Sequence, residues 1–304
     1  MGYEIVKAKA FTWLLVVVVC IVIPLGCEKK TELPPDHPRL TANVRMQDVT
    51  LHSAALGRDM PYRVLLPATI PADKRLPVIY LLHGGGGGYR DWSNYSDVAQ
   101  FAGRGLILVT PEGEASYYVN AVDRPADRFE DYITKDLIAD VEAKFPAASG
   151  RANRAIAGIS MGGFGAVVLS LKHPELFAFA GALSPALDVP SRPFSIKRVG
   201  QYRQHRAIFG PWGSPTRHAN DPYILARSSD PAKVPYLFLS CGEQEGLLPA
   251  NRRFAALLQR RGFRYQFHVG PGSHDWNQWN RRLPDLFENL RIAMGSNYRK
   301  GSTD

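Results

Sequence analysis

Short apolar runs that alternate with helical patterns constrain the fold of this chain more than any other feature. Each apolar run ends in turn residues, and the runs are 77–82, 106–109, 154–157, 179–183, 236–239 and 265–269. Near-continuous apolarity is typical of strands that are buried on both faces of a parallel sheet. Helical periodicity covers 92–102, 128–145, 161–172, 250–261 and 283–294. The alternation predicts an α/β fold built on a doubly wound, mostly parallel sheet.

Two further segments complete a predicted sheet of about eight strands. Residues 44–51 and 62–66 have the composition of strands, and Gly57-Arg-Asp59 is the predicted turn of an opening antiparallel pair. The segment 189–232 interrupts the alternation, because it carries six prolines and is too long for an ordinary connection. We expect it to be an insertion over the carboxyl edge of the sheet, either a lid or substrate wall or an addition without a role in binding.

The composition excludes several classes of protein. Among 304 residues, 45% are hydrophobic and 21% are charged, which argues against disorder, a collagen and a polytopic membrane protein. Lys and Arg number 37 against 28 Asp and Glu, which gives a net charge of +9. The basic residues are scattered and form no long run, so we expect no nucleic-acid partner.

The first residues have the pattern of an export signal. Lys7 and Lys9 precede an uncharged apolar run at 11–23, which is short for a membrane span and suits a signal-peptide core. Gly26 and Cys27 then resemble a bacterial lipoprotein cleavage site, at which the cysteine is acylated. Ordinary signal cleavage and an uncleaved anchor are the alternatives.

We therefore expect a signal peptide at 1–26, a proline-containing tether at 27–42 and a catalytic domain at 43–296. The protein would be exported to the bacterial cell envelope and held on the membrane through a lipid on Cys27. Cys20 would be removed with the signal peptide. Cys241 would remain as a small core residue near a strand end.

One motif carries the chemistry. Gly158-Ile-Ser160-Met-Gly162 has the form G-x-S-x-G and lies between a predicted strand and a predicted helix, which is the context of a nucleophile elbow. An ordinary tight turn is the alternative. In an elbow, Ser160 is presented at the N-terminus of the helix, where backbone N–H groups favour developing negative charge.

A nucleophilic serine needs a base and an acid, which α/β-hydrolases supply in the order Ser, acid, His. His274 lies in a glycine-rich loop after the last predicted strand, whereas His268 lies inside that strand. We expect His274 to be the base. Glu243 and Glu245 both follow the strand at 236–239, and either could orient the histidine.

An oxyanion hole requires two convergent N–H donors. The N–H of Met161 follows the nucleophile directly, and the second donor is expected from the glycine-rich loop at 83–88. A phosphate-binding loop is the alternative for this segment, but the G-K-[ST] ending is missing. We expect His83 to hold the loop backbone in place.

Residues about 45–295 resemble the esterase family of α/β-hydrolases that includes esterase D (S-formylglutathione hydrolase), tributyrin and feruloyl esterases and the mycolyltransferases. The resemblance places the acid at Glu245, where relatives usually carry Asp, and the oxyanion N–H groups at Gly85 and Met161. The matching segments, in chain order, are Leu81-Leu-His-Gly-Gly85, Pro111-Glu-Gly113 with Ser116-Tyr-Tyr118, Phe129-Glu-Asp-Tyr-Ile133 with Asp136-Leu137, Gly158-Ile-Ser-Met-Gly-Gly163, Cys241-Gly-x-x-Glu245, and Gly272-Ser-His274 with Trp279.

The residues and the resemblance together predict a serine carboxylic-ester hydrolase that works through an acyl-enzyme, without a cofactor or a metal. Its expected substrates are acyl or feruloyl esters of extracytoplasmic, carbohydrate-linked compounds. The alternatives are an acyltransferase of the mycolyltransferase type, a thioesterase similar to S-formylglutathione hydrolase, and a binding module that has lost catalysis.

Overall fold

The eight predicted strands form a single sheet. The computed structural model describes residues 35–194 and 196–295, and one compact unit of the chain begins at Asp36. The strand order is β1-β2-β4-β3-β5-β6-β7-β8. The pairs β1–β2 and β2–β4 are antiparallel, and every later pair in this order, from β4–β3 to β7–β8, is parallel. The mostly parallel α/β architecture is therefore confirmed. The strands are β1 (Val44–Ser53), β2 (Arg58–Pro67), β3 (Val78–Leu82), β4 (Ile107–Pro111), β5 (Arg154–Ile159), β6 (Phe179–Leu183), β7 (Tyr236–Gly242) and β8 (Tyr265–Gly270).

The first hairpin differs from the prediction in the position of its turn. Arg58 and Asp59 belong to β2, where they pair with Ser53 and His52 of β1. The turn instead covers residues 54–57. It ends at Gly57, whose φ of +63° lies in the region that glycine adopts without steric cost.

The helices cover the faces of the sheet. The region predicted as one helix at 92–102 is divided in two, and the helix at 128–145 contains a π-helical turn at Tyr132–Leu137. The last helix begins seven residues before the predicted start at 283, because Asp275 caps it by accepting the N–H of Gln278 at 2.9 Å. The helices are α1 (Asp91–Tyr95), α2 (Ala99–Ala102), α3 (Phe129–Asp131), α4 (Ile138–Lys144), α5 (Met161–Lys172), α6 (Val199–Phe209), α7 (Pro215–Ala219), α8 (Pro222–Ser228), α9 (Leu248–Arg261) and α10 (Trp276–Met294).

The strand β3 shows why the apolar runs are continuous. Val78, Tyr80 and Leu82 belong to the apolar cluster on one face of the sheet. Ile79 and Leu81 belong to the cluster on the other face, which also includes residues of α10. Because both faces are covered, every position of the strand is buried.

The insertion at 189–232 forms three helices, α6 to α8, and packs on the domain. Its Phe209 lies in one apolar cluster with Phe164 of α5. Arg217 is buried, and its guanidinium donates to the carbonyl oxygens of Pro190 and Gly210, so it joins the end of α6 to the segment that precedes this helix. The insertion is therefore an ordered part of the unit.

The predicted signal peptide, Cys20 and Cys27 lie outside the described residues. The described part of the predicted tether contacts the domain, because the buried guanidinium of Arg63 requires carboxylate partners. Asp36 supplies one of them at 2.6 Å and Asp48 of β1 supplies the other at 2.6 Å. The compact unit thus begins seven residues before the predicted boundary at 43. None of the described helices is long and apolar enough to cross a membrane.

Candidate active site

Ser160 occupies a sharp turn between β5 and α5. Its φ is +52°, which is strained for a residue with a side chain. The flanking glycines make the turn possible: a Cβ on Gly158 would overlap the backbone of Gly162, and a Cβ on Gly162 would lie 2.6 Å from the carbonyl oxygen of His83. The N–H of Ser160 donates to the carbonyl oxygen of Leu183 at 2.9 Å, which fixes the turn to the neighbouring strand.

The structure brings Ser160, His274 and Glu245 together at the carboxyl ends of the strands. The Oγ of Ser160 lies 2.8 Å from Nε2 of His274, and Nδ1 of His274 lies 2.7 Å from Oε2 of Glu245. His274 follows β8 and Glu245 follows β7, so residues that are far apart in the chain meet at one edge of the sheet. This is the geometry of a nucleophile, a base and an orienting acid.

The geometry separates the two glutamates that the sequence left open. The side chain of Glu245 is fully buried, and its carboxylate contacts the histidine. Glu243 is exposed to solvent, and its carboxylate makes no hydrogen bond with the described residues. Glu245 is therefore the residue placed to hold the His274 ring.

A hydrogen-bond network that the sequence did not reveal supports Glu245. Its Oε1 accepts from the hydroxyl of Ser184 and from the N–H of Gly242, both at 2.6 Å. The indole N–H of Trp279 donates to the Ser184 hydroxyl at 3.0 Å, and the Trp279 ring packs edge-on against the His274 ring. Ser184 thus acts as a positioning residue that directs Oε2 of Glu245 towards the histidine.

The glycine-rich loop after β3 lies beside the serine. A Cβ on Gly84 would be 3.6 Å from the Cβ of Ser160. Within the described residues, the N–H groups of Gly85 and Met161 donate to no protein acceptor, so both can serve an incoming oxyanion. His83 is buried below the loop; its Nδ1 is 2.8 Å from the carbonyl oxygen of Gly84, and its Nε2 accepts the N–H of Gly113. His83 therefore has the structural position that the sequence predicts.

The other residues considered from the sequence lie outside this constellation. His268 lies in the edge strand β8, Asp275 caps α10, and Asp188 forms an ion pair with Arg192 at 2.7 Å. Cys241 is buried in β7, and burial, together with the neighbouring carboxylate of Glu245, raises the pKa of its thiol to about 12.

A cleft of about 670 Å³ opens above Ser160 and His274. One wall comes from the loop after β7, where Leu247 lines the cleft. The opposite wall comes from the insertion, which contributes Arg192 and Gln201. Of the two roles considered for the insertion, the structure supports that of a substrate wall.

The comparisons with known proteins agree with this site. The sequence profile of the family described as "Putative esterase" matches residues 53–290. The chain belongs to this esterase family. The α/β-hydrolase fold predicted from the order of motifs is thereby confirmed, and so is the assignment to the carboxylic ester hydrolases.

Three relatives show how far the similarity of the esterase extends. An acetyl esterase of Caldicellulosiruptor saccharolyticus is 26% identical over 80% of this chain and 97% of that protein. An endo-1,4-beta-xylanase/feruloyl esterase of Xylanibacter ruminicola is 25% identical over 81% of this chain, which corresponds to only 31% of that protein. The solved structure of FphF, a fluorophosphonate-binding serine hydrolase of Staphylococcus aureus, is 26% identical with a TM-score of 0.70 and covers 83% of this chain and 99% of that one.

Proposed function

We propose that this protein is a serine esterase in which Ser160 attacks the ester carbonyl, His274 moves the proton and Glu245 orients the histidine. The observation that carries the proposal is the unbroken line of hydrogen bonds from Ser160 through His274 to Glu245, at 2.8 and 2.7 Å. These distances lie within the range that direct proton transfer requires.

The donors around Glu245 support one arrangement of the protons. Glu245 is surrounded by donors, so its carboxylate accepts the Nδ1–H of His274, and Nε2 is left free to accept the hydroxyl proton of Ser160. As Oγ attacks, the proton passes to Nε2, and the buried carboxylate of Glu245 stabilises the resulting imidazolium. His274 then donates this proton to the leaving alcohol, and water releases the acyl group by the same route.

The N–H groups of Gly85 and Met161 are the proposed oxyanion donors. Both belong to segments that meet at Ser160, and Met161 also begins α5, whose N-terminus favours negative charge. Donors that are fixed before the reaction need no rearrangement as charge develops on the carbonyl oxygen.

The proposed substrates are acetyl or feruloyl esters on extracytoplasmic, carbohydrate-linked compounds. The acetyl esterase and the xylanase/feruloyl esterase among the relatives support this class. The signal-like pattern at 1–26 and Cys27 support export and lipid attachment to the membrane of the cell envelope. Metabolic labelling with an alkyne fatty acid would mark the wild type and spare Cys27→Ser, and equal labelling of both would contradict the attachment at Cys27.

Ester turnover by Ser160→Ala tests the nucleophile. We expect kcat for acetyl and feruloyl esters to fall by about 10⁴-fold or more. Ser170→Ala is the matched control, because this hydroxyl also lies on α5 and, among the described residues, bonds only to the carbonyl oxygen of Val167. Wild-type rates in a folded Ser160→Ala protein would refute the assignment.

Product analysis with added sugar acceptors distinguishes the hydrolase from the acyltransferase alternative. A hydrolase releases free acid at a rate that is insensitive to the acceptor, because water resolves the acyl-enzyme. Conversion of the acceptor into an acyl ester in preference to free acid would instead favour the transferase.

A further inference from the structure

A second, smaller cavity adjoins the cleft over Ser160. It has a volume of about 210 Å³ and lies within the insertion. It shares Asp188, Arg192, Arg198 and Gln201 with the cleft, so these residues form a common wall between the two cavities. We call it the arginine pocket; it is lined by Asp188, Arg192, Pro193, Arg198, Gln201, Tyr202, His205 and Arg217.

The charges of the arginine pocket do not cancel. Arg192 is paired with Asp188, both of its contacts going to one carboxylate oxygen at 2.7 and 3.0 Å. Arg217 is buried, and its donors are taken by backbone carbonyl oxygens, which leave its positive charge without a carboxylate. Arg198 is exposed and forms no ion pair with any residue in the described part of the chain. The pocket therefore holds three guanidinium groups and one carboxylate.

The nearby carboxylate of the active site forms no ion pair with the guanidinium groups of the pocket. The side chain of Glu245 has no exposed surface, and its oxygens are occupied by Ser184, Gly242 and His274. Both oxygens of the Glu245 carboxylate are therefore engaged within the active site, and neither is available to Arg198.

His205 lies beside the arginines of the pocket. It is buried with Nε2 at 3.1 Å from the hydroxyl of Tyr117, which itself lines the catalytic cleft. Burial, and then the charges of Arg192 and Arg217, lower the pKa of His205 to about 4. The imidazole is thus neutral at neutral pH, mainly because burial disfavours its charged form and to a smaller extent because the two guanidinium groups do.

From these charges and the residues that the two cavities share, we propose that the arginine pocket binds an anionic group, a carboxylate such as that of a uronic acid, on the ester substrate whose carbonyl lies at Ser160. This inference rests on the proposed esterase function and narrows its substrate class to esters with an acidic acyl part or an acidic alcohol part. Arg198 would act as a specificity residue, since it is the guanidinium that is both exposed and without an ion pair among the described residues. Guanidinium groups bind carboxylates through paired, charge-assisted hydrogen bonds.

Two matched pairs of substrates locate the anion. In the acyl arm, 4-nitrophenyl hemiglutarate is compared with 4-nitrophenyl valerate. In the alcohol arm, 3-acetoxybenzoate is compared with 3-acetoxybenzamide. The kcat/KM ratio of each charged ester to its neutral partner is measured in the wild type and in Arg198→Gln, so that intrinsic differences in reactivity cancel.

We expect the ratio to fall about tenfold in Arg198→Gln in the arm whose charge reaches the pocket. Arg203→Gln is the matched control, because Arg203 is also exposed and lies on α6, but it does not line either cavity. The preference of the wild type for the charged ester over its neutral partner should also weaken when the ionic strength rises from about 0.02 M to about 0.5 M.

Arg192→Gln provides a second test, because it removes a positive charge and leaves the carboxylate of Asp188 facing the pocket. We expect the kcat/KM ratio of the charged ester to its neutral partner to fall further in Arg192→Gln than in Arg198→Gln. Unchanged ratios in both arms and both variants, with neutral esters still hydrolysed, would overturn the arginine pocket alone. Failure to hydrolyse any ester would instead overturn the proposed function.

Discussion

Replacement of Glu245 by glutamine changes the proton arrangement of the site while it preserves its shape. In the wild type, Oε1 accepts from Ser184 and Gly242, and Oε2 faces Nδ1 of His274. A glutamine keeps one carbonyl oxygen, and the two donors at Ser184 and Gly242 hold that oxygen on their side. The amide NH₂ then faces Nδ1, which must become an acceptor.

The consequence is a change of tautomer. When Nδ1 accepts, the proton of the neutral imidazole moves to Nε2, and Nε2 can no longer take the proton of Ser160. A wrong tautomer in a serine triad lowers kcat by about 10⁴, and we expect a loss of about 10³ to 10⁴ in Glu245→Gln. This corresponds to about 4 to 5.5 kcal/mol of lost transition-state stabilisation.

The assay is the initial rate of hydrolysis of 4-nitrophenyl acetate, corrected for spontaneous hydrolysis, together with a thermal unfolding curve. Glu243→Gln is the control, because it makes the same chemical change two residues earlier on an exposed side chain. We expect wild-type kcat in the control and an unfolding temperature close to the wild type in both variants. Activity retained in Glu245→Gln and lost in Glu243→Gln would refute the reasoning.

Three further predictions concern the scaffold. Gly162→Ala should destabilise the fold by about 3 kcal/mol or more, because the new Cβ would lie against the carbonyl oxygens of Leu82 and His83. Gly200→Ala is the control and should leave the unfolding temperature unchanged, since the space around Gly200 is open. Equal thermal unfolding curves for the two variants would contradict the steric argument. The pKa of His205 is about 4 in the folded protein and about 6.5 in the unfolded chain. Its contribution to the free energy of unfolding is therefore fully present above about pH 6.5 and is lost as the pH falls from about 6.5 to about 4. Urea unfolding should therefore show a smaller loss of stability between about pH 7 and pH 4.5 in His205→Gln than in the wild type, and equal losses would contradict the pKa of His205. The thiol of Cys241 should resist a maleimide in the folded protein and react after unfolding, since it is buried with a pKa of about 12; rapid labelling of the folded protein would contradict its burial.

The succession of strands along the chain was predictable, because continuous apolarity and glycine-bounded turns are local features of the sequence. The run at 77–82 became β3, and the helix after Ser160 matches its predicted range of 161–172. The division of 92–102 into α1 and α2 and the early start of α10 were not predicted, because caps and short breaks depend on single residues such as Asp275.

For the site, the motif G-x-S-x-G and the order of residues along the chain identified Ser160 and His274, but they left Glu243 and Glu245 open. The choice depends on burial and on the donors around each carboxylate, and two of the donors to Glu245, Ser184 and His274, come from distant segments. Ser184 was missed because a serine after a short apolar run has no distinctive pattern. The one signal in the sequence was its position directly after β6, beside β7, the strand that Glu245 follows.

The role of the arginine pocket was likewise hidden in the sequence. Arg192 and Arg198 lie in a segment that is notable only for its prolines, and their relation to Ser160 depends on how the insertion folds back over the sheet. Scattered basic residues in a sequence do not reveal which of them lack a carboxylate partner.

The most direct test of the account is covalent labelling of Ser160 by a fluorophosphonate, followed by intact-protein and peptide mass measurement. The account predicts a single adduct on the peptide that contains Ser160, absent from Ser160→Ala and formed far more slowly in His274→Ala, because Nε2 activates the hydroxyl. No adduct on the folded wild type, or an adduct on another residue that persists in Ser160→Ala, would contradict it.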